Sequence, residues 1–81
     1  MEITDQDLLL VTGGTGLVGS HVVERACGLG IRTRALVRAA ADSSLLESFG
    51  AEIATGDMTD AASLKQAVEG ATIIVHCAAK V

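Results

Sequence analysis

The chain has no proline, no tryptophan and no tyrosine, and Phe49 is its only aromatic residue. Any core must therefore be aliphatic, and turns fall to the nine glycines. The two cysteines, Cys27 and Cys77, show neither CxxC nor zinc-ligand spacing. That pattern excludes a disulfide framework and reads as two buried, reduced thiols. No apolar run approaches the roughly 20 residues of a membrane span. The first seven residues, Met1 to Asp7, are acidic where a secretion signal would be basic. A cytoplasmic location is the expectation. A net charge of −4 argues against nucleic acid or an anionic membrane as partner, since both select clustered Lys and Arg.

What is present is dense. Hydrophobic residues make up 49% of 81 positions, enough to argue against disorder. The length admits one small domain near the lower limit for an independent core. Apolar runs and helical spacing alternate throughout. Leu8 to Thr12 reads as a strand covered on both faces. The spacing then predicts a helix from Gly16 to Cys27, with Val18, Val22 and Ala26 inward, stopped at Gly28-Leu29-Gly30. A second strand over Thr33–Val37 leads through an alanine-rich loop to Asp42 and Ser43, candidate caps of a short helix burying Leu45, Leu46 and Phe49. A third strand covers Glu52–Thr55. Thr59 or Asp60 caps a third helix with Leu64, Ala67 and Val68 inward, and Thr72–His76 forms a fourth strand. The fold class is α/β: a partial, Rossmann-type doubly wound parallel sheet, β-α-β-α-β-α-β, in strand order 3-2-1-4.

The first strand-to-helix junction carries the chemistry. Gly14 to Gly19 fits GxGxxG, and Thr12-Gly13 through Gly16 to Gly19 fits TGxxGxxG. The second register is preferred because Thr12-Gly13 sits directly at the strand's end. In either, one glycine turns the chain, one admits a phosphate to the backbone, and Gly19 lets helix approach strand. A helix start carries about half a positive charge and unpaired N–H groups, which a pyrophosphate satisfies. A P-loop is excluded, because no Gly-Lys-Ser/Thr follows.

Strand two ends in Leu36-Val37-Arg38, where an NAD site would usually carry an acid for the ribose 2′-hydroxyl. Arg38 suits a 2′-phosphate instead, so NADP is the expected cofactor and NAD the alternative. The competing reading of Arg38 is a solvated loop arginine. After strand three, Asp57 can accept from the adenine amine while Met58 packs on the ring; otherwise Asp57 is a turn residue. Ala78 and Ala79 are small enough for backbone to lie against ribose and pyrophosphate. His76 reads as a structural histidine and not as a general base.

Thr12 to Gly19, Leu36-Val37-Arg38, Gly56-Asp57-Met58 and His76-Cys77-Ala78-Ala79 together resemble the extended short-chain dehydrogenase/reductases, the NAD-dependent epimerase/dehydratase family. Arg34 to Arg38 and His76 to Val81 look most like dihydroflavonol-reductase-type and 3β-hydroxysteroid-dehydrogenase-type members. The likeness runs from Asp7 to Val81, about the first third of a family member. It implies that Gly13, Thr15, Gly16, Leu17 and Val18 line the pyrophosphate. It assigns Arg38 to the 2′-phosphate, Asp57 and Met58 to adenine, and Ala78 and Ala79 to the centre of the cofactor. Members transfer hydride on alcohols or carbonyls, with a Ser or Thr and a Tyr-x-x-x-Lys pair moving the proton. Those residues do not occur here: position 76, four before Lys80, is histidine. The expectation is thus the amino-terminal part of an NAD(P)-binding domain, residues 1–81, that binds cofactor without catalysis. A non-catalytic NADP-sensing module and a structural fragment pairing with another chain are the alternatives. The apolar fourth strand, left at an edge, further predicts marginal stability or self-association.

Overall fold

The computed structural model describes residues 3–13, 16–39, 41–57 and 59–77. Four strands alternate with three helices: β1 (Leu8–Thr12), α1 (Leu17–Gly28), β2 (Arg32–Val37), α2 (Ser44–Ser48), β3 (Glu52–Thr55), α3 (Ala61–Val68) and β4 (Ile73–His76). All neighbours pair in parallel, in the order β3-β2-β1-β4. The expected Rossmann-type order is therefore the observed one.

β1 is the centre of the molecule, and all five of its residues are buried. Successive side chains leave a strand on opposite faces, so this one strand feeds two cores. Leu9 and Val11 join Ala35 and Val37 of β2, Val23 and Ala26 of α1, and Leu46 of α2. Leu10 turns the other way, meeting Leu36 and Ala67, with Leu64 and Val68 of α3 packed around them. Helices thus cover both faces of the sheet, which is why β1 carries no polar alternation.

Helix α1 sits with a different stripe inward from the one its apolar spacing suggests. Gly19, Val23 and Ala26 are its buried residues, whereas Val18 is 63% exposed and Val22 is half-buried. The helix is turned so that Gly19, and not Val18, lies on the buried side. In α2 only Leu46 is buried and Phe49 half-buried. Leu45 stays 57% exposed, because five residues form little more than one turn. Cys27 and Cys77 are free but half-buried rather than enclosed. Element ends otherwise differ from the sequence reading by one residue: α1 starts at Leu17 with Gly16 as its cap, β2 starts at Arg32, and β4 starts at Ile73. The Thr72 hydroxyl, just before β4, instead accepts from the Leu8 N–H and donates to the Asp7 carboxylate.

Arg34 ties three elements together. Its Nε donates to Glu52 of β3 at 2.6 Å, and its Nη1 donates to the carbonyls of Ala67 and Glu69 at 2.8 and 2.7 Å. A mostly buried guanidinium thereby satisfies carbonyls at the end of α3, where cations are also favoured by the helix dipole.

Candidate dinucleotide site

Parallel pairing brings every strand to the same edge with its carboxyl end. Thr12 lies opposite both Leu36 and His76, and Val37 lies opposite Thr55. Gly13, Arg38, Gly56-Asp57 and Cys77 therefore leave the sheet side by side. Strand order reverses between β1 and β4, and crevices at such a reversal are where open α/β sheets take ligands.

At the head of β1, Gly13 adopts φ +73°, a conformation that side chains with a Cβ rarely accept. Its carbonyl accepts from the Gly16 N–H at 3.1 Å, closing a tight turn. Gly16 then caps α1 in extended conformation, without any side-chain hydrogen bond, and no acidic residue occupies the first turn. The Ser20 N–H donates to the Gly16 carbonyl, so the amides before Ser20 lie ahead of the helical ladder. Leu17 is 78% exposed at this tip, beside exposed Val18. α3 starts differently: the Asp60 side chain accepts from the Ala62 N–H. The start of α1 is thus left without a side-chain cap, whereas Asp60 caps α3.

Exposed Arg38 follows β2, and Asp57 follows β3. The Asp57 carboxylate accepts from the Thr59 N–H and hydroxyl, both at 2.9 Å. These bonds, the backbone one foremost, hold the carboxyl below its ordinary value of 3.8, and the nearby Arg38 charge adds to the effect. The Gly56 N–H donates to the Val37 carbonyl at 2.8 Å, fastening the two loops. Gly13, Gly16, Leu17, Val18, Arg38 and Asp57 therefore gather at one edge. Thr15, Met58, Ala78 and Ala79 lie outside the described residues. Among the described residues there is no group of side chains that could hold a metal ion, and no helix long and apolar enough to cross a membrane.

The family model described as NmrA-like matches residues 5–80, nearly the whole chain. The chain belongs to the NmrA-like family. The isoflavone reductase homolog IRL of Zea mays is 42% identical over 80 residues, covering 89% of this chain and 26% of its own length. The sterol-4-alpha-carboxylate 3-dehydrogenase (decarboxylating) of Dictyostelium discoideum is 32% identical over 72 residues, covering 89% of this chain and 22% of its own. Among solved structures, AtPrR2 with NADP+ and (+)pinoresinol superposes with a TM-score of 0.82 at 31% identity, over 96% of this chain and 28% of that one. The NmrA-like chain spans about a quarter of the length of these relatives. Its sheet is Rossmann-type, and these relatives are named as a reductase homolog, a dehydrogenase and a structure solved with NADP+, in agreement with the resemblance carried by its four motifs.

Two features of this NmrA-like chain were not visible in its spacing. Ser63, in α3, accepts from the Asp57 N–H at 3.0 Å and donates to the carbonyls of Asp57 and Asp60. A Cβ at Gly56 would lie 2.7 Å from that of Ser63, so the glycine lets α3 seat beneath the Asp57 loop. The second is a 2.6 Å hydrogen bond between the Thr12 hydroxyl and His76 Nδ1, which crosses from β1 to β4. Serine at a helix start and histidine on a strand are individually common, and only the fold shows what they reach. A separate apolar groove of about 560 Å³ runs along the outer flank of α1, past Val22 and Leu29, and meets the dinucleotide site only at Leu17 and Val18.

Proposed function

We propose that residues 1–81 form the amino-terminal, cofactor-binding part of an NAD(P)-dependent oxidoreductase or epimerase, with NADP preferred. That protein acts by hydride transfer on an alcohol or carbonyl substrate. The observation that carries the reading is the uncapped start of α1 behind Gly13, set at the same sheet edge as Arg38 and Asp57. The amides from Gly13 to Val18, Thr15 included, take the pyrophosphate. Arg38 takes the 2′-phosphate, Asp57 and Met58 hold adenine, and the backbone at Ala78 and Ala79 passes the central ribose. NADP supplies hydride chemistry when bound, and this chain's residues bind and orient it. Without a Ser/Thr and Tyr-x-x-x-Lys set in its sequence, the 81-residue chain is expected to bind nucleotide and turn nothing over.

The preference for NADP rests on charge. A carboxylate at the end of β2 would accept from a ribose 2′-hydroxyl and repel a 2′-phosphate, and Arg38 does the opposite. The Asp57 carboxylate, whose charge Arg38 feels, is already engaged by Thr59. The AtPrR2 structure, named for its NADP+, supports the same choice. A charge-assisted hydrogen bond contributes about 1.5–3 kcal/mol, so NADP should bind roughly ten- to a hundredfold more tightly than NAD. Calorimetric titration of both nucleotides into wild type and Arg38→Asp tests this. The variant should lose the preference, and equal NADP affinity in the two proteins would refute it. A second reading is a non-catalytic module that senses NADP. The photosystem II assembly factor Ycf39 of Trieres chinensis, 34% identical over 67 residues, is a relative named for assembly.

A further inference from the structure

We infer that Ser63 of α3 is a positioning residue that sets the site's preference for adenine, by fixing the backbone that carries the Asp57 carboxylate. The inference rests on the reading of Asp57 as the acceptor for the adenine amine. Ser63 belongs to a helix anchored in the core: Leu64, next to it, packs with Val68 against Leu10, Leu36 and Ala67. Its hydroxyl reaches from that helix to the loop after β3. The oxygen accepts from the Asp57 N–H at 3.0 Å, and its proton faces the Asp57 and Asp60 carbonyls, each at 3.1 Å. One hydroxyl thus holds the peptide groups on either side of Asp57. Gly56 is fitted to the same contact. A Cβ there would meet the Cβ and Oγ of Ser63 at 2.7 and 2.8 Å, and Leu36 Cδ1 at 3.3 Å. The Gly56 N–H is meanwhile bonded to the Val37 carbonyl at 2.8 Å. The chain entering Asp57 is therefore clamped between β2 and α3. On the far side, Thr59 donates its N–H and its hydroxyl to the same carboxylate oxygen, Oδ1. A carboxylate has about four acceptor positions, so these two bonds orient the group without exhausting it. A hydrogen-bonding group selects its ligand only when its supporting residues hold it to within about 0.5 Å. Ser63 is that support.

The consequence is read in base selectivity and not in overall affinity. Two ligands separate the two: NADP, and the same dinucleotide with hydrogen in place of the adenine amine. Calorimetry on the full chain should find wild type favouring NADP by about tenfold or more, the scale of one hydrogen bond to a charged group. Ser63→Ala should bring that ratio to within about twofold of one. The amine-free ligand should bind this variant within about twofold of its wild-type affinity. Asp57→Ala should abolish the ratio as well. Adding Ser63→Ala to Asp57→Ala should change the ratio no further, because the serine acts only through that carboxylate. Equal losses for the two ligands in Ser63→Ala would make the serine a purely structural residue and overturn the inference. A wild-type ratio that survives the substitution would overturn it too, while leaving adenine recognition by Asp57 intact. Wild type binding both ligands equally would instead refute that recognition, and wild type binding neither would refute the cofactor reading; the inference falls with either.

Discussion

The Asp57 carboxylate accepts two hydrogen bonds from Thr59, and its backbone is held at both ends by the Ser63 hydroxyl. Its pKa is lowered in the folded state, so folding favours the ionised form. That contribution is complete above the unfolded value near 3.8 and is lost as pH falls through the lower folded value. Asp7, bonded chiefly to the Thr4 N–H and then to Thr72, and Asp42, bonded to Ser44, are lowered likewise. Stability should therefore drop steadily on acidification below about pH 4, and Asp57→Asn should flatten part of that slope. Urea titrations at several acidic pH values measure it, and identical slopes in the two proteins would remove Asp57 from the account. Single residues were also where the sequence was least readable. Asp57 was legible as an acceptor after a strand, but its engagement by Thr59 and Ser63 depends on a loop and a helix meeting in space. The same holds for Thr12 and His76, whose partnership has no local signature.

Elements were more legible than residues, because their causes are local. A continuous apolar run gave β1, a β-branched apolar stretch gave β4, and a capping aspartate gave the start of α3. What spacing left open was rotation about the helix axis, since α1 offers both a Val18-Val22-Ala26 stripe and a Gly19-Val23-Ala26 stripe. The structure buries the second: Gly19, Val23 and Ala26. Arg34 is the element-scale fastening. Its guanidinium joins β2 to Glu52 on β3 and to the last carbonyls around α3. Arg34→Met keeps the aliphatic stem and removes every donor, so it should destabilise by about 2–3 kcal/mol, given that hydrogen bonds from a charged group contribute about 1.5–3 kcal/mol. Chemical denaturation measures this. A loss below about 0.5 kcal/mol would mean that water replaces the arginine at those carbonyls, as at many exposed ion pairs.

On the scale of the whole molecule, one margin of the sheet is unguarded. Among the described residues β4 pairs with β1 alone, and Ile74 on that edge strand is 57% exposed. The apolar groove on the outer flank of α1 adds a second uncovered surface. Unpaired strand groups beside exposed isoleucine favour association, and a charge on the edge opposes it. Sedimentation should find concentration-dependent oligomers for the 81-residue chain and monomers for Ile74→Lys. A wild-type monomer that melts cooperatively above about 60 °C, beyond most mesophilic domains, would contradict this.

The central place of β1 also has a kinetic meaning. Leu8 finds Arg32 only 24 positions along, but Leu9 must wait for Ile73, 64 positions along. Closing the larger loop costs about 0.9 kcal/mol more by chain statistics alone. As the polypeptide emerges during synthesis, the first strand can thus recruit β2 early and stays half-zipped until the fourth arrives. The bonds that His76 and the Cys77 N–H make to Thr12 both come from that last arrival, so the carboxyl end of β1 should be the final part of the sheet to be secured.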